Sequence, residues 1–223
     1  MDSIKIIVTK DGSKTLYNNI LDETYHSRNG AITESEFVYI KEGLQHYHNL
    51  HALQERIDVL EFGFGTGLNA LLSFLWAENN NVGIDYVSIE KNPIDLSLAI
   101  ETGYGLQKDS PILFNTLHAT SWNEKQQLSA NFSLTKIKQD FLDLEKSEAY
   151  DVLFYDAFAP SKQAEVWNGN YLELARNVLR KNGMLVTYSA QGQFKRTLKQ
   201  VGFKVEVIKG PPGKREMIRA FKL

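Results

Sequence analysis

A Rossmann-like α/β fold, built on a seven-stranded, mostly parallel sheet that ends in an antiparallel hairpin, is predicted by three features of the 223-residue sequence. Apolar runs of strand length alternate with stretches whose apolar residues recur every three or four positions, as in a sheet wrapped by helices. Within Ile57 to Leu72 (IDVLEFGFGTGLNALL) an apolar strand runs into Gly63, Gly65 and Gly67 and straight on into a helix. Near the end, the strands Phe203 to Ile208 and Glu216 to Phe221 are joined through Gly210-Pro211-Pro212-Gly213. That link is too short for a crossover helix, so the two strands must run antiparallel.

Taken in order, residues 4–9 (IKIIVT) and 15–17 flank Asp11-Gly12, a hairpin turn signal. Asn29-Gly30 marks a second turn. Thr33 and Glu36 have capping-box spacing, and Phe37, Ile40, Leu44 and Tyr47 form one helical face. Residues 1–52 are thus expected to form a hairpin and helix packed on a core of residues 53–223. After the glycine turn a helix runs to about Glu78, and Ile84 to Glu90 forms the second strand of the core. Asn92-Pro93 offers a cap and an N1 proline for the next helix. The irregular stretch of about 103–131, with Asn115, His118 and Trp122, reads as an insertion over the sheet. Phe132 to Ile137 is the third strand, and Tyr150 to Asp156, a solid apolar run, suits a central parallel strand. A helix from about Ala164 to Arg180 is expected to stop at Gly183; Met184 to Ser189 is the fifth strand, and Gln193 to Val201 a further helix.

Composition narrows the function. The absence of cysteine excludes disulfides, thiolate metal sites and cysteine nucleophiles. His46, His48 and His51 cluster, but 46 and 48 project to different sides of a helix and no carboxylate completes a set, so no metal is expected. No stretch approaches a membrane span and the N-terminus lacks a signal-type apolar region, which predicts a soluble cytoplasmic protein. The net charge is only −2, yet Lys195 to Leu223 holds nine basic residues against two acidic ones. Such a tail is either a phosphate footprint or a solvated sheet edge.

Alternate glycines allow a sharp turn and let a ligand approach the backbone and the helix N-terminus. A dinucleotide fingerprint starting at the strand end fails at Leu68, although the shifted frame Gly65, Gly67, Ala70 fits. The pattern L-E-x-G-x-G-x-G, with Glu61 ending the strand, resembles motif I of class I S-adenosylmethionine (SAM) methyltransferases, in which a carboxylate and backbone amides hold an amino acid. Glu90, at the next strand end, is placed to accept hydrogen bonds from ribose hydroxyls in SAM or NAD alike. Asp140 either takes the adenine amine or caps the next turn. Asp156, at the carboxyl end of a central strand, stands where ligands bind in open α/β sheets and is the catalytic candidate. The antiparallel ending favours a methyltransferase, since a two-half dinucleotide fold would continue with another βαβ unit.

Four stretches, His26 to Ile40 (HSRNGAITESEFVYI), Glu61 to Asn69 (EFGFGTGLN), Asp156 to Trp167 (DAFAPSKQAEVW) and Gly210 to Met217 (GPPGKREM), together resemble the methyltransferase half of the MnmC-type enzymes. Those bifunctional enzymes finish 5-methylaminomethyl-2-thiouridine at the wobble position of bacterial tRNA. Trp122 also falls where that family has a tryptophan. The resemblance implies SAM as donor, the amine of 5-aminomethyl-2-thiouridine as acceptor, and the tRNA anticodon region as partner. It implies Asp156 as the active-site acid and Glu61, Gly63, Gly65, Gly67, Asn69, Glu90 and Asp140 as cofactor contacts. Ala157 departs from the glycine frequent in the family, and the chain has no room for the FAD-dependent oxidase half, so the preceding conversion either falls to a separate oxidase or does not occur. Phe158 and Trp167 are candidates to stack on an extruded base, and Lys162, Lys195, Arg196, Lys214 and Arg215 to meet RNA phosphates. Two other readings stay open: a SAM methyltransferase acting on a small molecule or protein, and a non-catalytic nucleotide-binding module.

Overall fold

The structure is a computed structural model that describes residues 4–145 and 147–223. Residues 1–3, the start of the expected N-terminal extension, and residue 146 lie outside the described residues. Strands β1 (Ile4–Val8) and β2 (Lys14–Asn18) pair antiparallel around Asp11-Gly12, and β3 (Glu23–Thr24) adds to β2. Helix α1 (Ala31–Ser35) continues through a π-helical stretch, Glu36–Gln45, into α2 (His46–Leu50). Wide turns rotate the buried face relative to an α-helix. Tyr39, Leu44 and Tyr47 are buried, whereas Phe37 and Ile40 are only partly so.

The capping box expected at Thr33 and Glu36 does not form, because the helix begins earlier and the hairpin supplies the cap. Asp11 accepts from the Thr33 amide (3.1 Å) and hydroxyl (2.7 Å), and Ser13 Oγ accepts from the Ala31 amide (3.0 Å). Burial raises the Asp11 pKa, but hydrogen bonds from Ser13, Thr9 and Thr33 together hold it well below the usual carboxylate range.

The core follows as β4 (Arg56–Phe62), α3 (Leu68–Asn80), β5 (Gly83–Ile89), α4 (Leu96–Glu101), α5 (Tyr104–Gln107), α6 (Pro111–Ala119), β6 (Lys125–Gln127), β7 (Phe132–Ile137) and β8 (Tyr150–Tyr155). Then come α7 (Gly169–Val178), β9 (Leu179–Thr187), α8 (Gly192–Gln200), β10 (Phe203–Lys209) and β11 (Glu216–Lys222). The sheet order is β10-β11-β9-β8-β4-β5-β7-β6. Strands β9, β8, β4, β5 and β7 are parallel, while the terminal hairpin and β6 are antiparallel to their neighbours.

Alternate residues of the central strands face two apolar layers. Val59, Val152, Phe154, Met184 and Val186 pack with the N-terminal helix and α3, and Leu60, Leu153, Tyr155 and Leu185 with α7 and α8.

Several boundaries differ from expectation. The sheet has an eighth strand, β6, whose sequence KQQ is polar and lacks alternation. Residues 103–131 hold α5, α6 and this strand rather than irregular chain. Asn92-Pro93 starts no helix: the Asn92 amide is taken by Glu90 (2.8 Å), and Asp95 precedes α4. The helix expected from Ala164 breaks after a 3-10 turn, Ala164–Trp167, where the Asn168 side chain caps α7. Gly183 ends no helix. It lies inside β9, where a Cβ would meet the Arg180 carbonyl at 2.9 Å and that of Asp151 at 3.2 Å.

Phe132 is fully buried, with its ring 5.2 Å from that of Phe74 and 5.8 Å from that of Tyr86. Phe132→Ala is expected to destabilise the fold by about 3–5 kcal/mol. Ile112→Ala, at an exposed position, should stay within about 0.5 kcal/mol of wild type, both read by chemical denaturation.

Candidate active site

The parallel register brings three strand ends together. The Gly63 amide donates to Ile89 O (2.9 Å) and the Asp156 amide to Phe62 O (3.2 Å), so the glycine loop lies between Glu90 and Asp156. A cavity of about 660 Å³ opens there, bounded by the loop, these two acids, Asp140, the segment around Tyr25 and Glu34, and the 156–166 segment. Its size suits a small-molecule site.

At one end Glu90 is held by backbone donors: Gly65 N–H to Oε2 (3.1 Å) and Asn92 N–H to Oε1 (2.8 Å). Asp140 accepts from the Leu142 amide (3.1 Å), from Tyr171 OH (3.2 Å) and from Lys91 (2.9 Å). Gly63 and Gly65 line the cavity with φ of 96° and 48°, and a Cβ on Gly63 would stand 3.0 Å from the Asp156 carbonyl. A side-chain-free backbone between two oriented carboxylates fits a nucleoside bearing a charged tail.

At the other end Asp156 Oδ1 accepts from Tyr39 OH (2.6 Å) and Oδ2 from Asn69 Nδ2 (2.7 Å). The same Asn69 nitrogen donates to Glu61 Oε1 (3.0 Å), whose Oε2 accepts from Ser88 Oγ (2.6 Å). Burial pushes the Asp156 pKa up to about 7, aided by the charge of Glu34 and opposed by the hydrogen bonds from Tyr39 and Asn69. Burial likewise lifts Glu61 to about 8. Near neutral pH, Asp156 is poised to take or give a proton.

Around Asp156 the N-terminal segment meets the C-terminal hairpin. Glu34 accepts from the Ser27 amide (2.8 Å) and pairs with Lys214 (2.6 Å), whose ammonium sits 3.7 Å from the centre of the Tyr188 ring. Tyr188 OH donates to Ala157 O (2.9 Å), and the Phe158 ring packs edge-on against Tyr25 at 4.9 Å. Lys162, also in the lining, pairs with Asp22 (3.1 Å).

Asp156, Asn69, Gly63, Gly65, Glu90, Asp140, Phe158, Lys162 and Lys214 therefore share one cavity. Other expected contacts do not. Glu61 is 1% exposed and lies beneath Asn69. Gly67, with φ of 73°, packs on His118, where a Cβ would stand 2.7 Å from Nε2. Trp167 is buried among Tyr155, Phe194 and Tyr188, and its indole donates to Phe158 O (2.7 Å), which shapes the loop instead of presenting a stacking face. Arg215 is 95% exposed and outside the lining. Lys195 pairs with Glu216 and Arg196 bonds Gln193, also away from the cavity. The clustered histidines pack on rings: His46 on Phe221, His48 on Trp76 and His51 on Tyr47.

Tyr39, Tyr25, Glu34 and Tyr188 had no assigned role in the sequence. Three of them lie in or beside the stretch His26 to Ile40, whose resemblance was the available signal. His118 was also missed: it lies 3.0 Å from Thr66 O, so its Nε2 carries the hydrogen and donates into the glycine loop. Burial lowers its pKa to about 4, which keeps the ring neutral.

Glycine loop, acid-tipped neighbouring strand and terminal antiparallel hairpin define a Rossmann-like methyltransferase that uses SAM. Residues 105–223 match the family described as S-adenosyl-L-methionine-dependent methyltransferase, and the chain belongs to that family. It is 27% identical over 215 residues to the tRNA 5-methylaminomethyl-2-thiouridine biosynthesis bifunctional protein MnmC of Nitrosospira multiformis, covering 92% of this chain and 35% of that protein. The Methylobacillus flagellatus protein of the same name is 28% identical over 212 residues, covering 91% and 33%. This chain thus spans about a third of the length of these curated relatives. The crystal structure of MNMC2 from Aquifex aeolicus superposes with a TM-score of 0.73 at 27% identity, over 99% of this chain and 70% of that one.

Two predictions follow from the hydrogen bonds to the buried acids. The Tyr39 bond lowers the Asp156 pKa, so Tyr39→Phe should move its titration upward, read as the aspartate carboxyl resonance that Asp156→Asn removes. A raised folded-state pKa gives stability that is full below the unfolded value and lost as pH rises through the folded one. For Glu61 that window runs from about 4.5 to about 8. Glu61→Gln should accordingly flatten the fall of stability across this range relative to wild type, in denaturation curves taken at each pH.

Proposed function

We propose that this chain methylates the terminal amine of 5-aminomethyl-2-thiouridine at the wobble position of tRNA. One observation carries the reading: a cavity carboxyl with a pKa of about 7, oriented by Tyr39 and Asn69, beside a glycine loop of methyltransferase type. The likeness to relatives whose names specify a tRNA 5-methylaminomethyl-2-thiouridine pathway supports it over most of the chain.

SAM supplies an electrophilic methyl group on a sulfonium. Glu90 would hold its ribose hydroxyls, Asp140 its adenine amine, and the backbone at Gly63 and Gly65, with Asn69 alongside, its amino acid portion. A free alkyl amine is largely protonated at neutral pH and must lose a proton before it can react. Once the ammonium has given that proton to water, Asp156 as the carboxylate binds the aminomethyl group and orients its lone pair for attack, and it takes a proton from the methylated nitrogen afterwards. Its negative charge also offsets the positive charge developing on nitrogen. Tyr39 and Asn69 occupy one lone pair on each Asp156 oxygen and so fix the carboxylate plane. The packed pair Phe158 and Tyr25 forms one wall for the base, while Lys162 and Lys214, also in the lining, serve phosphate.

Residues 53–223 form the catalytic unit, and residues 1–52 an extension that closes its acceptor end through Tyr25, Glu34 and Tyr39. An FAD-dependent oxidase generates the amine beforehand, in the cytoplasm. No described helix is long and apolar enough to cross a membrane.

The test is transfer of labelled methyl from SAM to tRNA lacking the modification, followed by nucleoside analysis. Label is expected in 5-methylaminomethyl-2-thiouridine, with kcat falling as pH drops below about 7, where Asp156 becomes protonated. Asp156→Asn should lower kcat by about 10²–10⁴-fold, with SAM affinity by calorimetry little changed. Label in another nucleoside, or undiminished transfer by the variant, would refute the assignment.

A further inference from the structure

A second groove, of about 650 Å³, runs between the helix that carries Tyr39 and the turn that carries Lys214. Phe37 and Lys41 form one wall, Lys209 and Pro211-Pro212 the other, and Lys214 belongs to the lining of both this groove and the active-site cavity. The proline wall is rigid. Lys214 N–H donates to Pro211 O (2.9 Å), Gly210 N–H to Arg215 O (3.2 Å), and a Cβ on Gly210 would stand 2.7 Å from the Lys214 carbonyl.

The charge of the groove is one-sided. Its lining holds three lysines and, among the described residues, a single acid, Glu36, which is already ion-paired with Lys108. The Lys41 side chain is 66% exposed, its ammonium lying 5.0 Å from the centre of the Phe37 ring and at the outer limit of an ion pair with Glu42 (3.9 Å), while Lys209 is exposed at the hairpin end and Lys214 pairs with Glu34. A flat ring beside paired ammonium groups is the composition that holds a base and its phosphates. Four of the nine cations of the basic tail are neutralised away from the groove: Lys195, Lys204, Arg219 and Lys222 pair with acids.

We infer that this groove binds the nucleotides next to the target base, with Phe37 as a stacking face and Lys41 and Lys209 on the phosphates. The inference rests on the tRNA reading above. Lys214 lines both the cavity that takes the base and the groove, so the groove adjoins the site where the polynucleotide continues. The extended polyanion it requires is distinct from the SAM site, so its loss should leave cofactor binding intact.

The test measures binding of an anticodon stem–loop carrying 5-aminomethyl-2-thiouridine, by fluorescence anisotropy over a range of salt, for wild type and Lys41→Ala/Lys209→Ala. Both lysines are at the surface, and Phe37→Leu serves as a separate probe of the stacking face. The double variant should bind about tenfold or more weakly, with the slope of log Kd against log salt reduced by about 1.4, the share of two single-strand phosphate contacts. Phe37→Leu should weaken binding with the slope unchanged. SAM affinity, and methyl transfer to the free nucleoside, should match wild type in all variants. Equal stem–loop affinity and slope in wild type and double variant, or no stem–loop binding by wild type, would overturn the proposal. So would an oligoglutamate peptide that binds as tightly as the RNA, in favour of a protein ligand. A stem–loop that binds through the groove without being methylated would support the groove and refute the acceptor assignment instead.

Discussion

One amide nitrogen holds two carboxyl groups apart in this protein. Asn69 Nδ2 spends one hydrogen on Glu61 and the other on Asp156, in a place where neither acid is readily ionised. Burial raises both acids and the charge of Asp156 adds to the rise of Glu61, so the pair holds a proton near neutral pH. The surroundings are arranged around this point. Glu61 comes from β4, its partner Ser88 from β5, Asp156 from the end of β8 and Tyr39 from the π-helical stretch. The polar centre of the site thus depends on the sheet register and on the packing of the N-terminal helix together.

The strands of the sheet were legible because burial on both faces leaves apolar runs, and because the glycine turn and the Gly-Pro-Pro-Gly link admit few geometries. Strand β6 was not, since an edge strand needs only backbone pairing and its polar side chains carry no period. Local capping signals misled where a distant residue did the capping: Thr33 is served by Asp11, 22 residues earlier. Asp156, Glu90 and Asp140 were legible from their positions at strand ends. Trp167 was not correctly placed, because a residue type suited to stacking says nothing of where the fold points it. Tyr39 was hidden by the π-helical turns, which rotate it away from the face that a 3.6-residue period selects.

The cavity is closed by parts of the chain far apart in sequence. Tyr25, Glu34 and Tyr39 come from before the first strand of the main sheet, and Lys214 from its last turn, with the Glu34–Lys214 ion pair joining them. The crossover helix α6 supports the opposite region. His118 holds the glycine loop, and its own carbonyl accepts from the buried Lys136 (2.7 Å), whose ammonium lies 4.9 Å from the centre of the Trp122 ring. A cation near the carboxyl end of a helix offsets the dipole there. That arrangement explains how a lysine with no carboxylate partner among the described residues is tolerated in the core, with burial lowering its pKa to about 8.

Strand β11, the last in sequence, lies inside the sheet between β9 and β10. During synthesis from the N-terminus, β10 therefore has no sheet neighbour until the final residues of β11 are made. Lys214 likewise reaches Glu34 only once this hairpin has formed. A growing chain can pair β4, β5, β7 and β8 early, but the edge beyond β9 stays open until β11 has been made. Interruption of synthesis within β11 would leave an exposed sheet edge with an incomplete acceptor pocket, a species prone to aggregate and unable to complete its site.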